Sequence, residues 1–366
     1  MEESPIKQTI EPAIKFVKLI KPSDKVAIVH GHDTDAISSA AIIYKLLKKL
    51  LKIEPELVIS DLNFSVRENT VKKIKKIMPA HIILLDLSEI GINILTQLKQ
   101  IGKVMIIDHH VPKGYVKITY VNPRIYNFQT YQPTTYLAYK IYEKFFNTKE
   151  ITWIAGVGTL ADFGINNCLD LFEKLNKELT ENLEPKDEIL LEKSLLGKLT
   201  KIIDSAREVK DIKGAMLALH TLINAENYKQ ILDKKAPHTK ELFKYFDLVE
   251  NEFQKVVNDF NKNKKQMKNL LVYQIKSKFN LKSSLATHLQ QFFDDKILMI
   301  YQKSGNFYDI SFRHGKKINI DLAWLAREAA RDIPNSNGGG HPSSSGARIP
   351  VKYFNKFLKN LNTLIK

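Results

Sequence analysis

The first 170 residues alternate between short apolar runs and longer segments in which apolar side chains recur at helical spacing. Short apolar runs bounded by polar loops are typical of buried strands. Strands that alternate with helices form a parallel sheet with helices on both faces. The sequence therefore predicts an α/β domain over residues 1–170, with strands at 25–30, 57–60, 81–86, 103–108 and 116–121 and helices at 36–51, 66–78, 92–100, 134–146 and 151–163.

The pattern changes after residue 170. Glu, Lys and Leu at helical spacing predict a helical connector over residues 171–268. Breaks in it are expected near Pro185, Gly214 and Pro237. Strand patterns then return, which predicts a second, smaller α/β domain over residues 269–366. Its expected elements are strands at 270–275, 297–302 and 308–313, a helix at 322–330, a glycine-rich segment at 337–346 and a helix at 351–365.

The chain carries a formal net charge of +16, and more than half of this excess lies near its end. Residues 271–366 hold 15 basic and 6 acidic side chains, a net of +9. Such an excess makes a polyanion, usually nucleic acid, the first partner to consider. The alternative interpretation of lysine clusters elsewhere in the chain is a plain solvated surface.

Three absences in the sequence narrow the class of protein. A lone Cys168 excludes a disulfide framework and a thiolate zinc site, which fits a reducing cytoplasm. No window approaches about 18 uninterrupted apolar residues, so we expect no membrane-spanning helix. The first residues, Met1 to Pro5, lack the basic and apolar stretches of a signal peptide, so we expect a cytoplasmic protein.

Side chains that can bind metal ions follow the predicted strands of the first domain. They are His30, His32, Asp33 and Asp35, then Asp86, then Asp108, His109 and His110, and finally Asp162 on a helix. In parallel sheets the ligand site lies off the carboxyl ends of the strands. Carboxylates and imidazoles gathered there suit two divalent cations such as Mn²⁺ or Mg²⁺, which can activate a water and hold phosphoryl oxygens.

Each of these residues also has a simpler interpretation when it is taken alone. Thr34 and Asp35 are suited to cap the helix that begins near Ala36, and Asp108 is suited to cap a turn. The Asp-His-His triplet at 108–110 is harder to explain in this way, because adjacent histidines are expected less than once by chance in a chain with 10 His.

The glycine-rich segment of the second domain favours an anion site. Gly338, Gly339 and Gly340 allow positive φ angles, which let backbone N–H groups converge on an anion. His341, and Arg313 on the preceding strand, add donors for a phosphate. A plain flexible turn is the alternative interpretation of this glycine run.

Together these motifs resemble the DHH phosphoesterases, a family that includes RecJ exonucleases, nanoRNases, inorganic pyrophosphatases and the replication factor Cdc45. The resemblance covers about residues 20–170 and 269–366. It rests on Asp33-Thr34-Asp35, Asp86-Leu87-Ser88, the triplet Asp108-His109-His110, Val121-Asn122-Pro123 and Gly158-Thr159-Leu160-Ala161-Asp162 in the first domain, and on Ser311-Phe312-Arg313 and Gly339-Gly340-His341-Pro342-Ser343-Ser344-Ser345-Gly346 in the DHHA1-like domain.

The resemblance implies a role for each matching residue. The implied ligands of two divalent cations, with Mn²⁺ preferred over Mg²⁺, are Asp33, Asp35, a bridging Asp86, His109 and Asp162. The implied catalytic residues are Asp108, which would orient His109, His109 itself, and His110, which would contact the substrate phosphate or a metal ion. The implied substrate-binding residues are Ser311, Arg313, Gly339, Gly340 and His341.

The sequence departs from the family pattern in two places. Family members often place a metal ligand two or four residues before the first Asp of the motif, whereas His30 and His32 lie three residues and one residue before Asp33. Either histidine is a candidate ligand, and the sequence does not decide between them. Ser344 and Ser345 stand where two alanines are usual, which keeps the side chains small.

The implied fold is a parallel-sheet DHH domain, a helical connector and a smaller α/β DHHA1 domain, with a cleft between the two α/β domains. We predict a metal-dependent exonuclease that releases mononucleotides from single-stranded DNA or RNA. The predicted direction is 3′→5′, because the compact plan resembles archaeal RecJ-like nucleases. The alternatives are a nanoRNase or a 3′-phosphoadenosine-nucleotide phosphatase on small substrates, and a Cdc45-like replication scaffold without catalysis. The helical connector could dock a replication or DNA-repair protein such as a helicase, although a structural connector is the simpler interpretation.

Overall fold

The computed structural model describes residues 5–61, 65–87, 89–112, 114, 117–179 and 184–365. The chain divides into two compact units, Met1–Phe246 and Asp247–Lys366. Two parts of the predicted motifs, Ser88 and the side chain of His341, lie outside the described residues. Among the described helices, none is both long and apolar enough to cross a membrane.

The first unit is built around a five-stranded parallel sheet, as the alternation of strands and helices predicts. The strands of this unit are β1 (Val26–His30), β2 (Glu56–Ile59), β3 (Ser65–Val66), β4 (His81–Leu85), β5 (Glu89–Ile90), β6 (Lys103–Ile107) and β7 (Thr119–Val121). The sheet has the order β2-β1-β4-β6-β7, while β3 and β5 form a separate parallel pair. The chain leaves β1 toward β2 and later returns to the other side of β1 as β4. Open α/β sheets bind ligands at such a switch point, off the carboxyl ends of the strands.

Helices cover both faces of this sheet, because successive side chains of a buried strand point to opposite sides. Ile83 and Leu85 of β4 belong to one core, and Ile82 and Leu84 belong to another. The helices that precede residue 168 are α1 (Pro5–Lys18), α2 (Thr34–Leu51), α3 (Glu68–Ile77), α4 (Ile92–Ile101), α5 (Thr134–Tyr142) and α6 (Thr152–Ala161). Helices α3 and α4 pack on the second core, and the other four pack on the first.

The segment after residue 168 is helical, as its composition predicts. Its helices are α7 (Leu169–Leu179), α8 (Asp187–Lys193), α9 (Leu195–Asn224), α10 (Tyr228–Leu232) and α11 (Thr239–Asn263). The break expected near Gly214 is a kink of α9 at Asp211, where φ is 50°. Gly214 permits this kink, because a Cβ atom there would lie 1.8 Å from the carbonyl oxygen of Ala206. Leu199 and Ile202 of α9 pack into the same core as α2, so this helix helps to build the first unit.

The second unit is a six-stranded sheet packed against helices, which confirms the predicted second α/β domain. Its strands are β8 (Lys265–Met267), β9 (Leu270–Ile275), β10 (Ile297–Ser304), β11 (Phe307–His314), β12 (Asn337–His341) and β13 (Ser344–Pro350), and its further helices are α12 (Lys282–Gln290), α13 (Leu322–Ala330) and α14 (Phe354–Leu364). The strand order is β12-β13-β11-β10-β9-β8, and only β9 and β10 pair in parallel.

The glycine-rich segment differs from the open loop that its composition favours. Gly338, Gly339 and Gly340 lie in β12, which pairs antiparallel with β13. Of these three glycines only Gly340 has a positive φ, at 133°. A Cβ atom at Gly338 would lie 2.3 Å from the carbonyl oxygen of Ala326, so glycine is required there for close packing on α13. Pairing with a later strand decides this conformation, and local composition does not reveal it.

Candidate metal centre

Two acidic residues follow β1 at the start of α2. Asp33 is the N-cap residue, and its Oδ1 accepts a hydrogen bond of 2.9 Å from the backbone N–H of Ala36. Asp35 is buried, and its carboxylate oxygens accept hydrogen bonds from the backbone N–H groups of Thr134 and Thr135 at 2.9 and 2.8 Å. These residues begin α5, where a helix leaves backbone donors unsatisfied. The N-terminus of α5 therefore orients Asp35.

His109 lies among three carboxylates that come from different elements. Its Nε2 atom is 3.4 Å from Oδ1 of Asp86 and 3.4 Å from Oδ2 of Asp162. The same atom is 4.0 Å from Oδ2 of Asp35. Asp86 follows β4, His109 follows β6, and Asp162 ends α6. The parallel sheet thus brings together side chains that are far apart in sequence.

Two overlapping groups in this cluster have the geometry of a metal site. Asp86, His109 and His110 form one group, and Asp35, His109 and Asp162 form the other. Within each group, one ligand atom from each residue lies within 4.8 Å of the others. Carboxylate oxygens and imidazole nitrogens are ligands of divalent cations such as Mn²⁺ and Mg²⁺. The donor set fits a divalent-cation centre in which His109 is common to both groups.

Asp35 and Asp86 are buried and Asp162 is partly exposed, and the charged forms of these neighbouring carboxylates are costly. Burial, with the charges of Asp86 and Asp162, raises the pKa of Asp35 well above its ordinary value. Burial and the charge of Asp33 raise the pKa of Asp86 in the same direction. Burial also raises the pKa of Asp162. Bound cations would offset this repulsion, which is a second reason why the cluster fits a metal centre.

Asp108 forms a hydrogen bond with the second histidine of the triplet. Its Oδ1 is 2.7 Å from Nδ1 of His110. Burial acts to raise the pKa of Asp108, but the charge and hydrogen bond of His110 outweigh it, and the pKa is lowered. Burial acts to lower the pKa of His110, but Asp108 outweighs it, and that pKa is raised. The resemblance implies that Asp108 orients His109, whereas this hydrogen bond orients His110.

The candidate ligands His30, His32 and Asp33 belong to neither ligand group among the described residues. The ring of His30 is fully buried, with Nδ1 2.6 Å from the carbonyl oxygen of Gly31. Its Nε2 has no hydrogen-bond partner among the described residues. Burial lowers the pKa of His30 to about 4, so this ring is neutral at pH 7. Burial, followed by the charge of Arg207, lowers the pKa of His32.

The predicted substrate-binding residues lie on two strands of the second unit: Ser311 and Arg313 on β11, and Gly339, Gly340 and the backbone of His341 on β12. Strand β13 lies between these two strands. Arg313 donates from Nε to Oγ1 of Thr287 at 3.1 Å and from Nη2 to Oγ of Ser283 at 3.0 Å. Helix α12 thus holds the guanidinium group of Arg313.

Three residues near the cluster are outside the family motifs. The hydroxyl of Tyr131 donates to Oδ2 and to the backbone oxygen of Asp162, at 2.6 and 2.8 Å. Thr134 donates from Oγ1 to Oδ1 of Asp86 at 3.3 Å, and Thr135 donates to the backbone oxygen of Asp35 at 2.8 Å. Pro133 before the two threonines signals a helix start, which could have identified them. No local signal identifies Tyr131.

Two family models match this chain. The model of the DHH family, N-terminal domain, matches residues 25–163, and the model of the DHHA1 domain matches residues 267–366. The chain belongs to the DHH/DHHA1 family. This membership places it in the DHH phosphoesterase superfamily. A comparison with curated protein sequences finds no match.

Several solved structures share this fold. RecJ from Thermus thermophilus in complex with Mn²⁺ superposes with a TM-score of 0.69 at 13% identity, over 100% of this chain and 55% of that chain. An exonuclease RecJ bound to manganese gives 0.65 at 14% identity, over 100% of this chain and 95% of that chain. CDC45 from Entamoeba histolytica gives 0.51 at 12% identity, over 98% of both chains. The chain thus spans about half the length of the Thermus RecJ.

At identities this low, the superpositions show a shared fold and nothing more specific. The same Thermus RecJ is also solved in complex with Mg²⁺, with a TM-score of 0.62 at 12% identity, over 100% of this chain and 52% of that chain. In this DHH/DHHA1 chain, the acidic and histidine side chains around His109 are positioned for metal binding.

Proposed function

We propose that this chain is a metal-dependent phosphodiesterase that hydrolyses single-stranded nucleic acid from an end and releases mononucleotides. The observation that carries the proposal is the cluster in which Nε2 of His109 lies 3.4–4.0 Å from three carboxylates, of which Asp35 and Asp86 are buried and Asp162 is partly exposed. A metal-independent protein gains nothing from burying like charges together, because each carboxylate raises the cost of ionising the others. The raised pKa values of Asp35 and Asp86 therefore favour a centre that is completed by cations.

Each residue of the cluster has a defined task in this proposal. Asp35, Asp86, His109 and Asp162 would hold two divalent cations, with Mn²⁺ preferred and Mg²⁺ as the alternative. Bound cations would supply Lewis acidity that activates a water and stabilises the phosphoryl oxygens. The N-terminus of α5 keeps Asp35 in place through two backbone hydrogen bonds.

His110 is proposed to contact the substrate phosphate. The hydrogen bond of 2.7 Å between Nδ1 of His110 and Asp108 fixes the orientation of the ring. Its Nδ1 atom is also 3.8 Å from Oδ1 of Asp86, so the ring lies at the edge of the ligand cluster. A histidine that is held by a carboxylate at this position is suited to donate a hydrogen bond to a phosphoryl oxygen.

The proposed substrate is a polymer because of the charge of the second unit. Residues 271–366 carry a net of +9, which suits contacts with several phosphates of a strand. Arg313, with the backbone of Gly339 and Gly340, is proposed to bind phosphate. We propose single-stranded DNA or RNA and 3′→5′ digestion. CDC45 shares the fold, so a scaffold without catalysis is one of the outcomes that the test distinguishes.

The test is one degradation assay in Mn²⁺, with Mg²⁺ and EDTA arms. Single strands labelled at the 5′ or the 3′ end are compared with dinucleotides and with 3′-phosphoadenosine nucleotides. Mononucleotide release that EDTA abolishes and Asp86→Asn removes is the expected result. Asp233→Asn, at an exposed carboxylate paired with Lys235, is the matched control and should leave the rate unchanged.

Three other outcomes would replace the proposal with a different function. Cleavage of dinucleotides but not of longer strands would identify a nanoRNase, and release of phosphate alone would identify a phosphatase. Tight Mn²⁺ binding without cleavage of any substrate would favour a scaffold related to CDC45. Unaltered activity of Asp86→Asn would exclude the cluster as the catalytic centre.

A further inference from the structure

A loop beside the metal centre is tied at both ends to residues of that centre. At its start, Nδ2 of Asn122 donates a hydrogen bond of 2.9 Å to the backbone oxygen of His110. At its end, the hydroxyl of Tyr131 donates to Asp162 at 2.6 Å, and its ring lies 5.3 Å from the ring of His109. We call residues 123–130 the aromatic loop. Its position is therefore set by contacts with residues of the candidate metal centre.

The aromatic loop exposes large apolar side chains. Ile125, Tyr126 and Phe128 are 49%, 46% and 57% exposed. Val111, directly after the triplet, is 47% exposed. Three of the eleven exposed large apolar residues in the described part of the chain therefore lie within the eight residues of the aromatic loop. A concentration of exposed apolar side chains marks a contact surface more often than a plain solvated loop.

Arg124 provides a positive charge within the aromatic loop. The centre of its guanidinium group is 5.7 Å from the ring centroid of Phe128 and 5.9 Å from that of Tyr131. Its Nε atom is buried and has no hydrogen-bond partner among the described residues. The two rings hold the guanidinium group in place as a cation beside them, and the terminal amino groups of an arginine are donors for a phosphate or a base.

We propose that the aromatic loop binds the nucleobase of a nucleotide whose phosphate lies at the metal centre. Phe128 and Tyr126 would stack on bases, because every base has a π face and stacking on exposed aromatic rings is independent of sequence. Arg124 would donate to an acceptor on the base or on the adjoining phosphate. This inference rests on the proposed function, and it names the part of the site that recognises single-stranded substrate.

A nucleobase fits this surface better than a protein partner does. The loop adjoins the ligand cluster through Asn122 and Tyr131, so an occupant of the loop would lie beside the candidate metal centre. The cation between two rings suits a base or a phosphate, whereas an apolar protein surface would leave it without an acceptor. A strand paired in a duplex hides the faces of its bases, so the aromatic loop would select single strands.

The decisive experiment measures binding in EDTA, where the substrate is not cleaved. The probe is a fluorescein-labelled oligodeoxythymidylate, compared with an abasic strand of the same length. Phe128→Ala should weaken binding of the thymidylate strand by about 5- to 150-fold, the range measured for the loss of one base stack. The same variant should leave binding of the abasic strand unchanged. Phe128→Tyr should keep the affinity, and Phe128→Leu, which keeps apolar bulk without a π face, should lose it.

Ile92→Ala is the matched control, because Ile92 is an apolar residue of the same unit that is 80% exposed. It should bind both strands like the wild type. Equal affinities of Phe128→Ala and Ile92→Ala for the thymidylate strand would overturn the inference, and so would an equal loss on both strands. Unchanged urea midpoints would verify that each variant is folded.

This experiment separates the inference from the proposed function. Cleavage in Mn²⁺ with no role for Phe128 would overturn the inference and leave the proposed function intact. Base-dependent binding through Phe128 without cleavage in any metal would support the inference and overturn the proposed function.

Discussion

The hydroxyl of Thr34 donates a hydrogen bond of 2.8 Å to Oδ1 of Asp204. Thr34 lies between Asp33 and Asp35, and Asp204 lies on α9, outside both ranges matched by the family models. Asp204 also accepts from Nε and Nη2 of Arg207 at 3.0–3.2 Å. The helical segment thus supports the start of α2, which carries the first acidic motif.

Removal of this support should destabilise the protein. We expect Asp204→Ala to lower the free energy of unfolding by about 1–3 kcal/mol, because it leaves the largely buried Arg207 without its partner. Asp204→Asn keeps an acceptor for Thr34 and should lower the free energy of unfolding by less than Asp204→Ala does. Asp233→Ala, at an exposed ion pair, should change stability by less than about 0.5 kcal/mol. Urea unfolding measures all three, and equal midpoints for Asp204→Ala and Asp233→Ala would contradict the expectation.

Neutralising one buried carboxylate should have opposite effects with and without metal. Burial and Asp33 raise the pKa of Asp86, so its ionised form opposes folding at pH 7 in the absence of cations. Asp86→Asn should therefore raise the free energy of unfolding in EDTA by about 1–3 kcal/mol. Asn also tolerates the positive φ of 55° at this position. The variant should lose the rise in Tm that Mn²⁺ gives the wild type in calorimetry, and a full rise would refute the assignment of Asp86 as a ligand.

Tyr131 is expected to tune the metal centre through Asp162. Loss of its hydroxyl in Tyr131→Phe removes two hydrogen bonds to Asp162, and partners of this kind typically contribute 10- to 100-fold, roughly, to metal affinity or activity. Tyr126→Phe, at an exposed tyrosine, is the control and should bind Mn²⁺ normally. Calorimetric titration with Mn²⁺ measures both, and equal affinities would show that Tyr131 does not act through Asp162.

Close packing around Gly158 should also matter for the site. A Cβ atom there would lie 2.3 Å from Oγ1 of Thr135 and 2.7 Å from Cβ of Ser38. Because the backbone of Thr135 holds Asp35, Gly158→Ala should weaken Mn²⁺ binding and lower the free energy of unfolding by about 1–3 kcal/mol. Gly91→Ala, where nothing lies within 4 Å, should lower the free energy of unfolding by less, roughly 0.5 kcal/mol, because Gly91 is the N-cap residue of α4. Comparable urea midpoints in the two variants would contradict the packing argument.

Stability should fall in acid because of His30. Its pKa is about 4 in the folded protein, against 6.5 ordinarily, because the ring is buried. The unfolded chain binds a proton below about pH 6.5 and the folded chain does not, so stability falls as pH drops from 6.5 to 4. The full contribution is about 3 kcal/mol.

The raised pKa values of Asp35 and Asp86 act in the opposite direction, so the contribution of His30 must be measured as a difference. His30→Asn, in which Nδ2 can replace Nδ1 toward Gly31, should show a smaller loss of stability than the wild type between pH 7 and pH 5 in EDTA. The same slope in both proteins would exclude His30 as the source.

Much of the architecture could be predicted from local order in the sequence. The apolar runs at 25–30, 81–86 and 103–108 form the parallel strands β1, β4 and β6. A strand that is apolar on both sides is buried when helices cover both faces of its sheet. Acidic residues directly after such strands must then meet at one edge. The same argument applies to His109, and the sequence therefore predicts that Asp86 and His109 lie close together.

Other features depend on where individual side chains point. The partner of Asp108 could not be predicted, because His109 and His110 are adjacent and only the course of the chain after β6 decides which ring turns toward the carboxylate. The sequence leaves the choice between His30 and His32 open for the same reason, and neither ring joins a ligand group among the described residues. The glycine run gave no sign of β12, because a strand forms there only by pairing with β13.

Local sequence order encodes the alternation of strands and helices and places the acidic residues at the strand ends, because both depend on side chains that are close together in the chain. In contrast, the contacts of Asp35 with α5, of Asp162 with Tyr131 and of Thr34 with Asp204 form only when the elements pack together. Each of these contacts joins residues 31 to 170 positions apart. Such pairs are selected by the packing of whole elements, and no local pattern encodes them.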